Sequence, residues 1–268
     1  MNKPYIGITG IETVDQLDPI FTIFRKKKNF SHRLMIGGMV SYKTLINIKD
    51  KPIVLMKNEI KNIFEKLNKY DSENIFFTLH YFTKPLEKIK PELKEKSKNI
   101  VEKTLYQQLT MLLENFYEEY ERIQPSFQIG IQINVSWPNP RDINKLKTTY
   151  PRLKTILQVS NFFLLEKRIK NYNVDYILID TSHGKGIEFE INDVIKIYET
   201  IHKNNPAIIG FAGGLSPENV RKKISSLKEK LNTKNFCIDA QKRLRTNDLL
   251  DITKVKKYLK EAIKSFQE

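Results

Sequence analysis

Eight short runs rich in Val, Ile, Tyr and Phe recur along a chain of 268 residues, and a helix-periodic segment or a short substitute for one follows each run. That alternation constrains the fold more than any other feature. The runs are "YIGITG" (5–10), "RLMIGGMVS" (33–41), "NIFFTLHYF" (74–82), "FQIGIQINV" (127–135), "KTILQVS" (154–160), "DYILIDTS" (175–182), "AIIGFAGG" (207–214) and "FCIDA" (236–240). Strands that alternate with helices form parallel βαβ units, and eight such units close into a (β/α)8 barrel. The expectation is one α/β barrel domain over 1–268, with an open doubly wound sheet as the structural rival. Neither a linker nor a short-period repeat divides the chain. The longest interval, 84–126, places Leu105, Leu109, Leu112, Leu113 and Phe116 on one helical face. It reads as an extended helical segment after strand 3, packed on the barrel's outside or at an oligomer contact. The sequence leaves the oligomeric state open.

Alternation within the strands sorts side chains between two environments. In "QIGIQINVS", Ile129, Ile131, Ile133 and Val135 alternate with Gln128, Gly130, Gln132, Asn134 and Ser136. In a barrel one set faces the helices and the other the interior. The apolar set suits the helix layer, so Gln132 and Asn134 are expected inside, near the strand's C-terminal end, where barrel enzymes keep their chemistry. The same parity pairs His80 with Thr78, Asp180 with Leu178 and Ser182, and Asp239 with Cys237. Polar residues converging from several strand ends form an expected active-site rim.

Composition narrows the function. The apolar fraction of 40% argues against disorder, and no apolar run is long enough to span a bilayer. The start lacks a signal-peptide pattern, so a cytoplasmic protein is expected. A single cysteine excludes a disulfide framework and a multi-cysteine zinc site. No metal or cofactor is expected. The net charge of +15 attracts polyanions, but the lysines lie on amphipathic helical stretches and no nucleic-acid module is visible. Nucleic acid is therefore a possible partner but not the favoured one.

The segment "IIGFAGGLSPENV" (208–220) carries the most specific local signal. Gly213 and Gly214 permit a tight turn and close approach to the backbone. Ser216 reads as an N-cap and Pro217 as the first helical residue. A helix N-terminus offers free N–H groups to an anion, and the loop after the seventh strand is a common phosphate site in barrels. A plain strand–turn–helix junction is the alternative reading.

"FAGGLSPENV" resembles the signature of phosphoribosylanthranilate isomerase, a barrel enzyme of tryptophan synthesis. "YILIDTSHGKGIEFE" is similar to that family's sixth strand and loop, "IGITGIETVDQL" to its opening segment, and "FCIDA" to its last strand. The likeness is most specific between 175 and 240 and slight between 42 and 126. It implies a phosphorylated small-molecule substrate and an Amadori rearrangement, which needs an acid and a base. The general acid corresponds to Asp180. The family's cysteine base corresponds to Ile6, which takes no proton, so the parent reaction should be weak and Ile6→Cys should raise it. His80 and Asp239 are the remaining candidates for the base. "AQKRLR" replaces the family's final phosphate-loop motif, which makes Arg243 and Arg245 candidate phosphate ligands or surface arginines. Lys43 and Lys185, just past strand ends, are candidates for holding an acidic group. Two readings stand: a diverged isomerase-type enzyme acting on a phosphorylated sugar-like metabolite, and an inactive barrel binding a phosphorylated ligand or nucleic acid.

Overall fold

A computed structural model describes residues 2–25, 30–70, 73–82, 86–134, 137–160, 168–182 and 184–268. Eight parallel strands close into a barrel in sequence order: β1 (Tyr5–Thr9), β2 (Arg33–Ser41), β3 (Ile75–Phe82), β4 (Gln128–Ile133), β5 (Lys154–Val159), β6 (Tyr176–Asp180), β7 (Ile208–Ala212) and β8 (Cys237–Ala240). Each falls inside the run that predicts it; Val135, the last residue of the expected fourth strand, lies outside the described residues. The closing ladder pairs Ile6 with Ile238, Gly7 with Asp239 and Ile8 with Ala240.

Burial of the strands on both faces explains their near-continuous apolar character. An outer layer joins Ile6, Ile8, Ile129, Ile131 and Ile177 to the apolar stripes of the helices. A smaller inner cluster holds Tyr5, Met35, Phe76, Tyr176, Leu178 and Cys237. Tyr5 meets Phe76 and Tyr176 at centroid distances of 5.7 and 5.3 Å, in the edge-to-face geometry aromatic rings prefer. These rings pack inside the barrel toward the N-terminal ends of the strands.

The outer helices are α1 (Leu17–Arg25), a short α2 (Tyr42–Leu45), α3 (Lys57–Asn68), α4 (Pro91–Val101), α5 (Leu105–Ile123), α6 (Pro140–Thr149), α7 (Ile191–Asn204), α8 (Val220–Leu231) and α9 (Ile252–Gln267). The extended segment after β3 is two helices rather than one. A reciprocal capping box starts the second: Thr104 Oγ1 accepts from Gln107 N at 3.2 Å, and Gln107 Oε1 accepts from Thr104 N at 3.0 Å. Leu109, Leu112 and Leu113 then bury completely against the barrel, the first of the two packings the sequence allows. Among the described residues no helix is long and apolar enough to cross a membrane.

After β8 a two-stranded hairpin, β9 (Arg245–Thr246) and β10 (Leu249–Leu250), turns through Asn247 and Asp248 at φ of 50° and 60°. Arg245 points back from it under the β1–α1 loop. Its Nη1 donates to Gly10 O at 3.0 Å, its Nε donates to Asp248 O at 2.9 Å, and its guanidinium pairs with the buried carboxylate of Glu12. Removing one member of a buried pair strands the other charge. Arg245→Ala should lower the unfolding free energy by about 3–5 kcal/mol in urea titration, and Glu12→Gln in the same chain should recover part of that loss.

Candidate active site

A cavity of about 580 Å³ opens at the C-terminal ends of the strands. Its wall is set by strand parity. A Cβ at Gly7 would stand 2.6 Å from Met35 Cε and 2.7 Å from Asp239 Oδ1, both inside the barrel. Gly7 and Thr9 therefore face the interior, and Ile6 and Ile8 point to the helix layer. This corrects one expectation. Ile6 lies in the outer core, so a cysteine placed there would not reach the cavity.

Asp239, on β8, is almost fully buried and accepts hydrogen bonds from Thr9 Oγ1 at 2.9 Å on both carboxylate oxygens. Burial pushes its carboxyl up to about 7; the Thr9 bond opposes the shift and the neighbouring Asp180 charge adds to it. Asp180, at the end of β6, is held by three donors. Ser182 N and Oγ donate to its Oδ1 at 3.0 and 2.7 Å, and Gln158 Nε2 donates to its Oδ2 at 3.0 Å.

Asp180 also sets the direction of two amides. A carboxylate only accepts, so Gln158 must turn its Nε2 toward it and its Oε1 away. That Oε1 accepts from Gln132 Nε2 at 3.3 Å, and the same Nε2 donates to Asn134 Oδ1 at 2.9 Å. The carbonyl oxygen of Gln132 is left over: it is buried and has no partner among the described residues. Gln132 and Asn134 thus lie on the cavity wall, as parity predicts.

His80 lines the same wall, but its environment suits a neutral spacer. Its Nε2 stands 2.7 Å from Thr78 Oγ1, and burial pulls the imidazole down to about 3. The bare backbone of Gly37 makes room for it, since a Cβ there would fall 2.6 Å from His80 Nε2 and 2.7 Å from Thr9 Oγ1. Cys237 sits below Asp239 in the inner cluster; burial pushes its thiol well up, and its Sγ accepts from Tyr5 N at 3.3 Å. It belongs to the core.

The glycine pair lies where the sequence places it, beside the cavity after β7. Gly213 has φ 108° and Gly214 φ 63°, conformations that side chains rarely adopt. The close neighbour at Gly214 is the chain itself: a Cβ there would stand 2.4 Å from Glu188 N and 2.6 Å from Ile187 C. The β6–α7 loop, not only a ligand, demands this glycine. A Cβ at Gly213 would lie 3.3 Å from Asp180 Oδ1. Among the described residues, the N–H groups of Gly213 and Gly214 have no protein acceptor.

Ser216 caps a turn, not the helix. Its Oγ accepts from Glu218 N at 3.2 Å, its N–H donates to Asn219 Oδ1 at 2.8 Å, and α8 begins only at Val220. Ser216 stands outside the cavity lining. Of the candidate cations, Arg243 lines the cavity, with Nε donating to Gly186 O at 3.0 Å. Arg245 is engaged by Glu12 and Lys43 by Asp50. Lys185 is exposed and lies off the lining. Two residues of the site escape the sequence reading. Gln158 carries a legible signal, because Ile156, Gln158 and Ser160 alternate with Thr155, Leu157 and Val159 as in the fourth strand. Thr9 shows itself only through Asp239.

No protein-family profile matches the chain, and no curated protein matches it. Solved structures do. N-(5'-phosphoribosyl)anthranilate isomerase from Pyrococcus furiosus aligns over 97% of this chain and 98% of its own, with 16% identity and a TM-score of 0.56. The phosphoribosylanthranilate isomerase from Thermococcus kodakaraensis aligns over 96% and 98%, with 18% identity and a TM-score of 0.55. Pyruvate kinase from Pyrobaculum aerophilum reaches 0.57 at 9% identity, over 98% of this chain and 72% of that one. At these identities the likeness concerns architecture, and barrels host many chemistries. The chain is a (β/α)8 barrel similar to phosphoribosylanthranilate isomerase structures along nearly its whole length.

Proposed function

We propose that this barrel is an enzyme that isomerises a phosphorylated sugar-like metabolite by moving a proton between neighbouring atoms. The observation that carries the reading is Asp239, a buried carboxyl at the cavity wall brought up to about 7. A group near neutrality both takes and returns a proton at working pH. In the proposed step the Asp239 carboxylate removes a proton from carbon and delivers it to the adjacent atom, so the substrate's composition is unchanged. Asp180, fixed by Ser182 and Gln158, is the second carboxylate. It lines the same cavity, where it can accept a hydrogen bond from a substrate hydroxyl or amine. Of the two expected candidates for the base, His80 and Asp239, this reading takes Asp239.

The phosphate would lie at the turn after β7, where the N–H groups of Gly213 and Gly214 have no acceptor among the described residues, with Arg243 supplying charge from the β8 side. Asp239 and Arg243 both line the cavity, so a single small molecule could contact both. The substrate of the similar isomerases would meet no thiol on this wall, and turnover of N-(5'-phosphoribosyl)anthranilate should be poor or absent.

Asp239→Asn should reduce turnover of the true substrate by about 10²–10⁴-fold. The rate of the unaltered enzyme should rise with pH through a limb near 7. A profile flat between pH 6 and 8 would assign the proton to another group. Arg243→Ala should weaken binding of phosphorylated ligands in calorimetry. Gly214 is unsuitable for that test, because any side chain there displaces residues 187–188.

The same carboxyl predicts a stability trend. Its folded value of about 7 lies above the ordinary aspartate value of about 3.9. Between those values the folded state holds the extra proton, so stability falls as pH rises through the window and levels off above it. Asp239→Asn removes the trend. The variant should gain a few kcal/mol over the unaltered protein above pH 7, with the difference vanishing below about pH 4. Denaturant titrations at pH 4 and pH 8 measure both ends.

A further inference from the structure

Groups that suit an anion and groups that suit a cation line the same cavity. Arg243 and the N–H groups of Gly213 and Gly214, which have no acceptor among the described residues, suit an anion. Asp180 and Asp239 stand together on the interior side, close enough that Asp180 helps to raise Asp239. All their partners among the described residues are neutral: Ser182 and Gln158 for Asp180, and Thr9 for Asp239. No lysine or arginine of the described residues pairs with either one. Two buried carboxylates without a counter-cation are unfavourable unless a proton or a ligand cation joins them.

A second, independent feature makes the same demand. Asp180 fixes the direction of Gln158 and through it of Gln132, so the buried atom left unpaired on the wall is a carbonyl oxygen, not an amide nitrogen. An unpaired buried acceptor calls for a donor. The interior wall therefore presents acceptors at three points: Asp180, Asp239 and Gln132 Oε1. A ligand complementary to it is rich in N–H or O–H groups and positively charged at the carboxylates, and it carries its phosphate at Gly213, Gly214 and Arg243, which line the same cavity.

We propose that the site takes an aminated sugar phosphate, its ammonium group against Asp180 and Asp239 and its phosphate at Gly213, Gly214 and Arg243. The proposal rests on the phosphorylated-ligand reading above and narrows it to zwitterionic substrates. Gln132 contacts the hydroxyl or amine face of the sugar. Gln158 is a positioning residue, since it holds the Gln132 amide in the orientation that leaves its oxygen free.

Isothermal titration calorimetry at neutral pH with orthophosphate, glucose 6-phosphate and glucosamine 6-phosphate tests this directly. The two sugars differ only in a hydroxyl or an amine at one carbon. Hydrogen bonds to charged groups predict that the amino sugar binds roughly tenfold to a hundredfold more tightly than its hydroxyl counterpart. Asp180→Asn should collapse most of that preference. If orthophosphate binds but the two sugars bind equally to the unaltered protein, the aminated ligand is wrong and the phosphate site stands. Should none of the three bind, the phosphorylated-ligand reading falls and this one falls with it. A folded Asp180→Asn protein that keeps the full preference also overturns the proposal. The comparison in the unaltered protein decides the matter even where the variant does not fold.

Discussion

The seam between the first and last strands governs the rest of the molecule. When β1 pairs with β8, Gly7 comes opposite Asp239, and the missing side chain leaves room for the carboxylate. Thr9, one step above on the same face, crosses the seam to hold both carboxylate oxygens. The ladder that closes the barrel thus also creates its most perturbed ionisable group. Below the seam the rings of Tyr5, Phe76 and Tyr176 exclude water. Their packing burdens Asp239 with the desolvation that gives it a proton at neutral pH.

The fold was legible because its signals are local. Each of the eight strands is a short apolar run, and strand alternation alone places Gln132, Asn134, Asp180 and Asp239 on one rim. What stayed hidden depends on partners distant in sequence. Arg245 and Arg243 look alike in "QKRLR", yet one is captured by Glu12 under the β1–α1 loop and the other reaches the cavity. Nothing near His80 reports the burial that keeps it neutral. The direction in which Ile6 points depends on the inward placement of Gly7, which becomes visible only once Asp239 and Met35 are seen beside it. The extra helix boundary at Thr104 was readable, since its capping box lies within four residues.

Architecture and chemistry separate cleanly in this chain. Barrels of different activity, an isomerase and a kinase, superpose on it about equally well. Discrimination has to come from the wall of the cavity. There the described residues offer two carboxylates held by neutral donors, a chain of directed amides and a turn whose glycine N–H groups meet no acceptor among them.

The contact between Gly214 and residues 187–188 carries an evolutionary consequence. The turn after β7 and the loop after β6 share one volume, and the absent side chain of the first is filled by the backbone of the second. The two loops are therefore inherited as a unit. A descendant that retains the β6 loop must retain the glycine; one that lengthens or redirects the loop relieves the contact but leaves position 214 at a φ that still favours glycine. Diversification of this barrel should proceed through paired changes at these two places, while the neighbouring loops drift singly.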